Sequence, residues 1–148
     1  FGGHAQAAGC TFARTNLEPL VERLGADVAS SVPAEDLVPT LEIDGEIPLS
    51  SLRPALISGL SVFQPFGAAN QEPRVLLRGV TLDGARGVGE NARHLQARIG
   101  GAKLIGFGLG HLSTHADQPL DLVGRLSIDS WNGREMAQLM LEDMRVAQ

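Results

Sequence analysis

The chain has 148 residues, 43% hydrophobic and 20% charged, with a net charge of −5. That is length for one ordinary domain, or a small domain plus a piece of another, and it excludes a disordered composition. No apolar run approaches the roughly 18 residues that a bilayer crossing needs, and one cysteine, Cys10, excludes both a disulfide framework and a Cys-based zinc cluster. Cytoplasm is the expected compartment, because no charged and apolar leader opens the chain. The start at Phe1, where Met would stand, points to a missing N-terminal portion. The acidic balance argues against broad electrostatic wrapping of nucleic acid. Eleven of the twelve basic residues, however, are Arg, and only Lys103 is Lys. Arginine suits a planar grip on phosphate or a stack on a base, and a GC-rich coding sequence explains it equally well. The distribution of charge has to decide.

Residues 1–32 open with Gly2-Gly3-His4 inside a Gly/Ala-rich stretch. Adjacent glycines let backbone N–H groups approach an anion closely, and a helix starting just after them would add its dipole. His4 could then donate to a phosphate oxygen or act near a scissile bond. Taken alone, the tripeptide reads first as a tight turn holding one hydrogen-bonded histidine. Cys10, between Gly9 and an apolar strand over Thr11 to Ala13, reads as a small core residue. A helix follows, capped by Asn16 or Thr15, with Glu18 and Pro19 in its first turn and a stripe of Leu17, Leu20, Val21, Leu24 and Val28.

Residues 33–73 carry six of the eight prolines and read as a connector. It feeds a short strand from Leu41 to Ile43 and one helix from Ser50 to Val62, capped by Ser50 or Ser51. From Arg74 onward short alternating runs are broken every 8–12 residues by Gly or Asn, the texture of a small sandwich or barrel. Asn132-Gly133 predicts a type I′ hairpin that pairs Ile128 with Ala137, Leu126 with Leu139 and Gly124 with Leu141 on an apolar face. Its other face pairs Trp131 with Arg134, Asp129 with Met136, Ser127 with Gln138 and Arg125 with Met140. Gly100-Gly101 predicts a second hairpin with Leu95, Ala97 and Ile99 facing inward against Gly106, Leu104 and Ala102. His94, Gln96, Arg98, Lys103, Ile105 and Phe107 face outward. Two faces matched to one core give five or six strands in a small antiparallel barrel, led by the OB type. The segment from Gly110 to Pro119 reads as a surface loop.

The outer face carries the second candidate site. Phe107 with Arg98, Lys103 and His94, and Trp131 with Arg134 and Arg125, could form a single-strand surface: aromatics stack on bases while cations follow the backbone. An ordinary solvated sheet face is the competing reading, and six aromatics with no Tyr exclude extensive stacking. His111 and His115, four apart, have metal spacing only if helical, and adventitious spacing is the preferred account.

The stretch GGHAQAAG (Gly2 to Gly9) resembles the signature of the DHH-associated domain, which follows the catalytic DHH domain in a superfamily of metal-dependent phosphoesterases. LSVFQPFGAANQEPRVLL (Leu60 to Leu77) is similar to the Leu-x-Pro-Phe-Gly-x-Gly-Asn-Pro-x-Pro segment of RecJ-type single-strand DNA exonucleases. WNGREMAQLMLEDMR (Trp131 to Arg145) is similar to the closing hairpin of that family's OB domain. Three ordered motifs span the chain from end to end.

The resemblance implies an α+β fragment: a short helical end of a DHH-associated domain (1–32), a Pro-rich connector with one helix (33–73) and an OB-type antiparallel β-barrel (74–148). It implies the C-terminal part of a 5′-to-3′ single-strand exonuclease of DNA repair and recombination, hydrolysing phosphodiesters with Mn²⁺ or Mg²⁺. By the same resemblance His4 contacts the phosphate near the cleaved bond, with Gly2 and Gly3 giving the close backbone approach. Pro65-Phe66-Gly67 and Asn70 fix the turn into the barrel, with Phe66 a core residue ahead of a base-stacking one. Single-stranded DNA is the implied partner, with a single-strand-binding protein and a helicase beside it, and no membrane. Two departures stand out. Ala69 and Gln71 occupy positions where the family pattern has Gly and Pro. The Asp-His-His motif is absent, and the aspartates are scattered with none at ligand spacing to a His, so the metals belong to a part outside this chain. Alternatives from other classes are a stand-alone single-strand DNA or protein-binding OB module without catalysis, and a phosphoesterase acting on short oligonucleotides or cyclic dinucleotides.

Overall fold

A computed structural model describes residues 1–147, apart from the side chain of Trp131, and divides the chain into two compact units, Phe1–Leu41 and the remainder from Glu42. In the first unit β1 (Gly2–His4) pairs antiparallel with β2 (Ala7–Gly9), placing Gly3 opposite Ala8 and His4 opposite Ala7. The glycine pair thus leads into a hairpin and not into a helix, so no helix dipole stands behind it. Residues 11–13 form no strand and Cys10 is exposed, which corrects the reading of Cys10 as a core residue beside a strand. The helix α1 (Leu17–Ser31) begins after Asn16, although no side chain caps it. Its stripe of Leu17, Val21, Leu24 and Val28 is exposed.

The second unit is built on one seven-stranded sheet. In chain order β3 (Gly45–Glu46) precedes the helix α2 (Pro54–Leu60). Then come β4 (Arg74–Val80), β5 (Asp83–Val88), β6 (His94–Ile99), β7 (Ala102–Gly106), β8 (Leu120–Trp131) and β9 (Arg134–Val146). The strands lie in the order β3-β4-β8-β9-β7-β6-β5. Hydrogen-bonded pairing ends at β3 and β5, while β4 and β5 are joined through Thr81 and Leu82. Two seams correct the expectation of an antiparallel barrel: β3 runs parallel to β4, and β7 parallel to β9. The second arises because the chain passes from β7 to β8 on the far side of β9 before turning back, so β9 meets β7 running the same way. Short connections make antiparallel neighbours, and a parallel neighbour requires such a crossover.

Both hairpins adopt the register expected from their turns. Asn132 and Gly133 have φ of 51° and 72°, and Gly100 and Gly101 have 52° and 87°. These are the left-handed conformations a type I′ turn imposes. Ile128 opposes Ala137, Leu126 opposes Leu139, and Ala97 opposes Leu104. The inward residues Leu77, Leu95, Ile99, Leu104, Leu120, Leu122 and Leu139 are almost wholly buried and form the centre of one hydrophobic core.

The ends of the core are covered by the connecting segments. Leu52 is buried, and Ile47, Leu49, Leu56, Ile57 and Leu60 pack on the core. The expected strand from Leu41 to Ile43 is displaced to Gly45–Glu46. The expected single helix is broken: Leu49–Ser51 and Ser61–Phe63 are 3₁₀ turns flanking α2, which starts at Pro54 after an extended Arg53. Proline fixes φ and clashes with the preceding turn, so the helix begins there and not at Ser50. The stretch expected as a loop after Leu109 contains a 3₁₀ helix over Gly110–His115, whose Leu112 also packs on the core.

Two polar devices hold the frame. Asn70 Nδ2 donates to the carbonyls of Phe63 (2.7 Å) and Pro65 (3.0 Å), and Gly67 and Asn70 exchange backbone hydrogen bonds. Ala69 has no left-handed backbone, so the turn forms without the glycine of the family pattern. Phe66 is half-buried and lines a small cavity with Ile57, Leu60, Pro73 and Leu126. Buried Asp121 accepts hydrogen bonds from Arg78 Nη1 (3.3 Å), Arg145 Nη2 (3.2 Å) and the Gly79 backbone N–H (3.2 Å). Arg78 also donates to Glu46 at 2.8 Å, and this bond, ahead of the charge of Asp121, holds its guanidinium above the ordinary arginine range. Among the described residues no helix is long and apolar enough to cross a membrane.

Two outcomes are expected in thermal denaturation. A β-carbon on Gly110 would collide with the backbone of Ala92 and Arg93, whereas one on Gly45 would meet open space. Gly110→Ala should therefore destabilise by about 1–3 kcal/mol, and Gly45→Ala should leave the melting temperature within a degree or two of the parent. Asp121→Ala should lower the melting temperature clearly more than Glu46→Ala does, since Asp121 is buried and the Arg78–Glu46 pair is half exposed.

Candidate nucleic-acid interface

The outward side chains of adjacent strands line up in rows across the sheet. One row runs Asp83, Arg98, Lys103, Gln138 and Ser127 through β5, β6, β7, β9 and β8. The next runs Arg86, Gln96, Ile105, Met140 and Arg125, and reaches Arg74 on β4. On β6, β7, β8 and β9 side-chain alternation puts these residues on one face, because the inward positions between them are taken by the core, and on β5 the bulge between Asp83 and Arg86 brings both to it.

On the β5–β7 side the face is concave. A groove of about 610 Å³ is lined by residues that include Arg86, Arg98, Lys103, Phe107, Asp83 and Asp129. Arg98 is exposed, and neither it nor Arg86 is in an ion pair among the described residues. Arg86 Nη2 donates instead to Gln96 Oε1 at 2.8 Å, which holds its guanidinium over the groove floor. Lys103 is ion-paired with Asp129. Phe107 is 64% exposed, and its ring meets that of His94 edge-on at 5.2 Å. His94 Nδ1 accepts a hydrogen bond from the Gly108 backbone N–H at 3.0 Å, which sets the orientation of the imidazole against Phe107. The groove therefore offers two unpaired guanidinium groups and one open aromatic face.

Of the residues expected on the outer face, the structure gathers Arg98, Lys103 and Phe107 in this groove and leaves Arg125 elsewhere. Arg125 Nε lies 2.5 Å from Glu142 Oε1, without a hydrogen bond to that oxygen, and Nη1 is 3.8 Å from Glu72. Arg74 Nε donates to the other Glu142 oxygen at 2.6 Å, and this hydrogen bond raises the Arg74 guanidinium above its ordinary range. Arg125 and Arg74 thus share Glu142, and their charge is largely balanced where they stand. Arg134 is exposed at the hairpin end opposite Trp131, whose side chain lies outside the described residues. Arg86 is the residue that sequence reasoning missed. Its alignment with Gln96 depends on a bulge between Asp83 and Arg86 that shifts the β5–β6 register and leaves no simple alternation to read.

In the first unit Gly2, Gly3 and His4 are all exposed on β1. Gly2 and Gly3 line an open cleft with Phe1, Ala8, Gly9, Cys10, Leu20 and Leu24. A β-carbon on Gly3 would press against that of Ala8 at 3.1 Å, so the hairpin needs a small residue there. His111 and His115 fall on one 3₁₀ helix, and among the described residues no group of three or more His, Cys, Asp or Glu side chains could hold a metal ion. The donor set of the described residues does not fit a divalent-metal centre.

Comparison with known proteins matches residues 43–143 to the family described as RecJ OB domain. Over its whole length the chain is 30% identical to the single-stranded-DNA-specific exonuclease RecJ of Bacillus subtilis, and over 98% of its length 29% identical to that of Thermus thermophilus. It spans about a fifth of the length of these curated relatives. The crystal structure of Thermus thermophilus RecJ in complex with Mn²⁺ superposes with a TM-score of 0.73 at 29% identity, covering 99% of this chain and 22% of that one. The same protein in complex with Mg²⁺ gives 0.67 at 27% identity, over 92% and 21%. The chain belongs to the RecJ OB domain family and is homologous to the C-terminal part of RecJ.

Proposed function

We propose that this chain serves as the strand-guiding part of a RecJ-type 5′-to-3′ single-strand DNA exonuclease of repair and recombination, and that its groove beside Phe107 takes one DNA strand. The observation that carries this reading is the pairing of unpaired Arg86 and Arg98 with an exposed aromatic in one concavity of an otherwise acidic protein. Guanidinium groups suit the phosphodiester backbone, and a phenyl ring stacks on any base without regard to sequence. The site lies on the sheet face that OB domains commonly offer to oligonucleotides. Asp83 and Asp129 add negative charge to the same groove, which limits non-specific adhesion and favours a strand placed with its phosphates on the arginines.

The first unit, in this reading, is the end of a DHH-associated domain. Its exposed hairpin offers His4 as a donor to a phosphate oxygen and Gly2-Gly3 as the close backbone approach. Residues 74–148 supply the six long strands of the OB module and 33–73 the connector, whose part from residue 43 falls within the matched OB family. Hydrolysis in this family calls on Mn²⁺ or Mg²⁺, and no step through a metal is assigned to these residues, whose side chains do not fit one.

Fluorescence anisotropy of the chain with a labelled single strand and the matched duplex tests the reading. Salt-sensitive binding of the single strand alone is expected. Phe107→Ala should weaken it by about 1–3 kcal/mol if one base stacks there. Arg98→Ala should weaken it and flatten its salt dependence by about one phosphate contact. Equal affinity for duplex, or no binding at low salt, would overturn the reading. With Mn²⁺ added, the same single strand should stay intact on a denaturing gel; release of nucleotides would mean that this chain carries a metal centre of its own.

A further inference from the structure

A second cleft adjoins the groove at the ring pair of His94 and Phe107. It measures about 660 Å³ and is lined by Glu90, Asn91, Ala92, Arg93, His94, Gly108, Gly110 and His111. Phe107 lines the groove and His94 lines the cleft, so these two rings, 5.2 Å apart, form the ridge between them. We infer that this cleft is a phosphate subsite, in which Arg93, His94 and His111 hold a phosphate of the strand whose neighbouring nucleotide lies in the groove. The inference rests on the reading of the groove as a strand-binding surface.

Three nitrogen-bearing donors converge on this cleft against a single carboxylate, that of Glu90, in a chain whose net charge is −5. Arg93 and His111 are exposed, and Arg93 is in no ion pair among the described residues. His94 spends Nδ1 on the Gly108 N–H, so its other ring nitrogen, Nε2, carries the proton and is the donor. The cleft wall is also fixed in shape. Asn91 and Ala92 are held left-handed at φ of 54° and 52°, a conformation rare for residues with a β-carbon, and the Gly110 N–H donates to the Arg93 carbonyl at 2.9 Å. Gly110 leaves the space into which the Ala92 carbonyl projects. A rigid loop carrying a free guanidinium beside two imidazoles is suited to phosphate oxygens, and Glu90 is the one carboxylate of the cleft lining that opposes them. His115, four residues from His111, does not line the cleft.

The test is anisotropy with a single-stranded oligonucleotide prepared with and without a 5′-terminal phosphate. Arg93→Ala and His111→Ala should each weaken binding, Arg93→Ala by about tenfold and with a fall of about 0.7 in the slope of log affinity against log salt. Glu90→Gln should tighten binding, which keeps the test informative even where an alanine variant unfolds. An equal effect on both oligonucleotides assigns the subsite to an internal phosphodiester, and an effect confined to the phosphorylated one assigns it to a strand end. Unchanged affinity in all three variants, with Arg98→Ala still impaired, would overturn this inference alone. Failure of the unaltered chain to bind any single strand would overturn the groove reading and this subsite together.

Discussion

The pairing of β8 with β9 sets the rest of the second unit. These two long strands share one turn, and both outward rows that run from β5 across the sheet pass through them. Side chains alternate with a period of two, so a slip by one residue would turn Leu126 and Leu139 to solvent and press Arg125, Ser127 and Asp129 into the core. Burial of the leucines opposes that slip strongly, at about 1.5–3 kcal/mol for each side chain that would be exposed. Because β9 also pairs with β7, the same register decides which residues of the first hairpin face outward. The placement of Lys103 beside Gln138, and through it the groove, follows from the turn at Asn132 and Gly133.

Net charge describes this surface poorly. Five of the eleven arginines are spent on carboxylates: Arg74 and Arg125 on Glu142, Arg78 and Arg145 on Asp121, Arg23 on Asp27. The acidic excess is thereby used to pin the frame, while Arg86, Arg93 and Arg98 stay unpaired among the described residues on neighbouring strands and their joining loop. A protein can be acidic in sum and still offer a local cationic path, because interactions between exposed charges fade beyond about 8–10 Å at ordinary ionic strength.

Much of this was legible in the sequence. Two-residue turns with positive φ are specific in composition, so both hairpins could be written down residue by residue, and the outward position of Arg98, Lys103 and Phe107 came with them. Three kinds of feature were not legible. The parallel seam between β7 and β9 joins segments far apart in sequence and leaves no local mark. Arg86 sits beyond a bulge that interrupts alternation. The ion pairs of Lys103 with Asp129 and of Arg125 with Glu142 depend on neighbours that only the assembled sheet supplies, so the bare count of cations overstated what the outer face has to offer a strand. The helix expected from Ser50 failed for a local reason that was in view: Pro54 lies inside it, and a helix starts at such a proline more readily than it runs through one.

The parallel contact between β7 and β9 also bears on how quickly this unit assembles. The β6–β7 and β8–β9 hairpins each close over two residues, at small cost in chain entropy. The seam from Lys103 to Gln138 joins them only after the 3₁₀ segment from Gly110 and the whole of β8 have been laid down. Sheets dominated by such distant pairings acquire structure slowly, because the cost of ordering the intervening chain falls due before the contact repays it. The step that creates the continuous outer face is thus the slow one, and the groove exists only once the two locally formed halves have met.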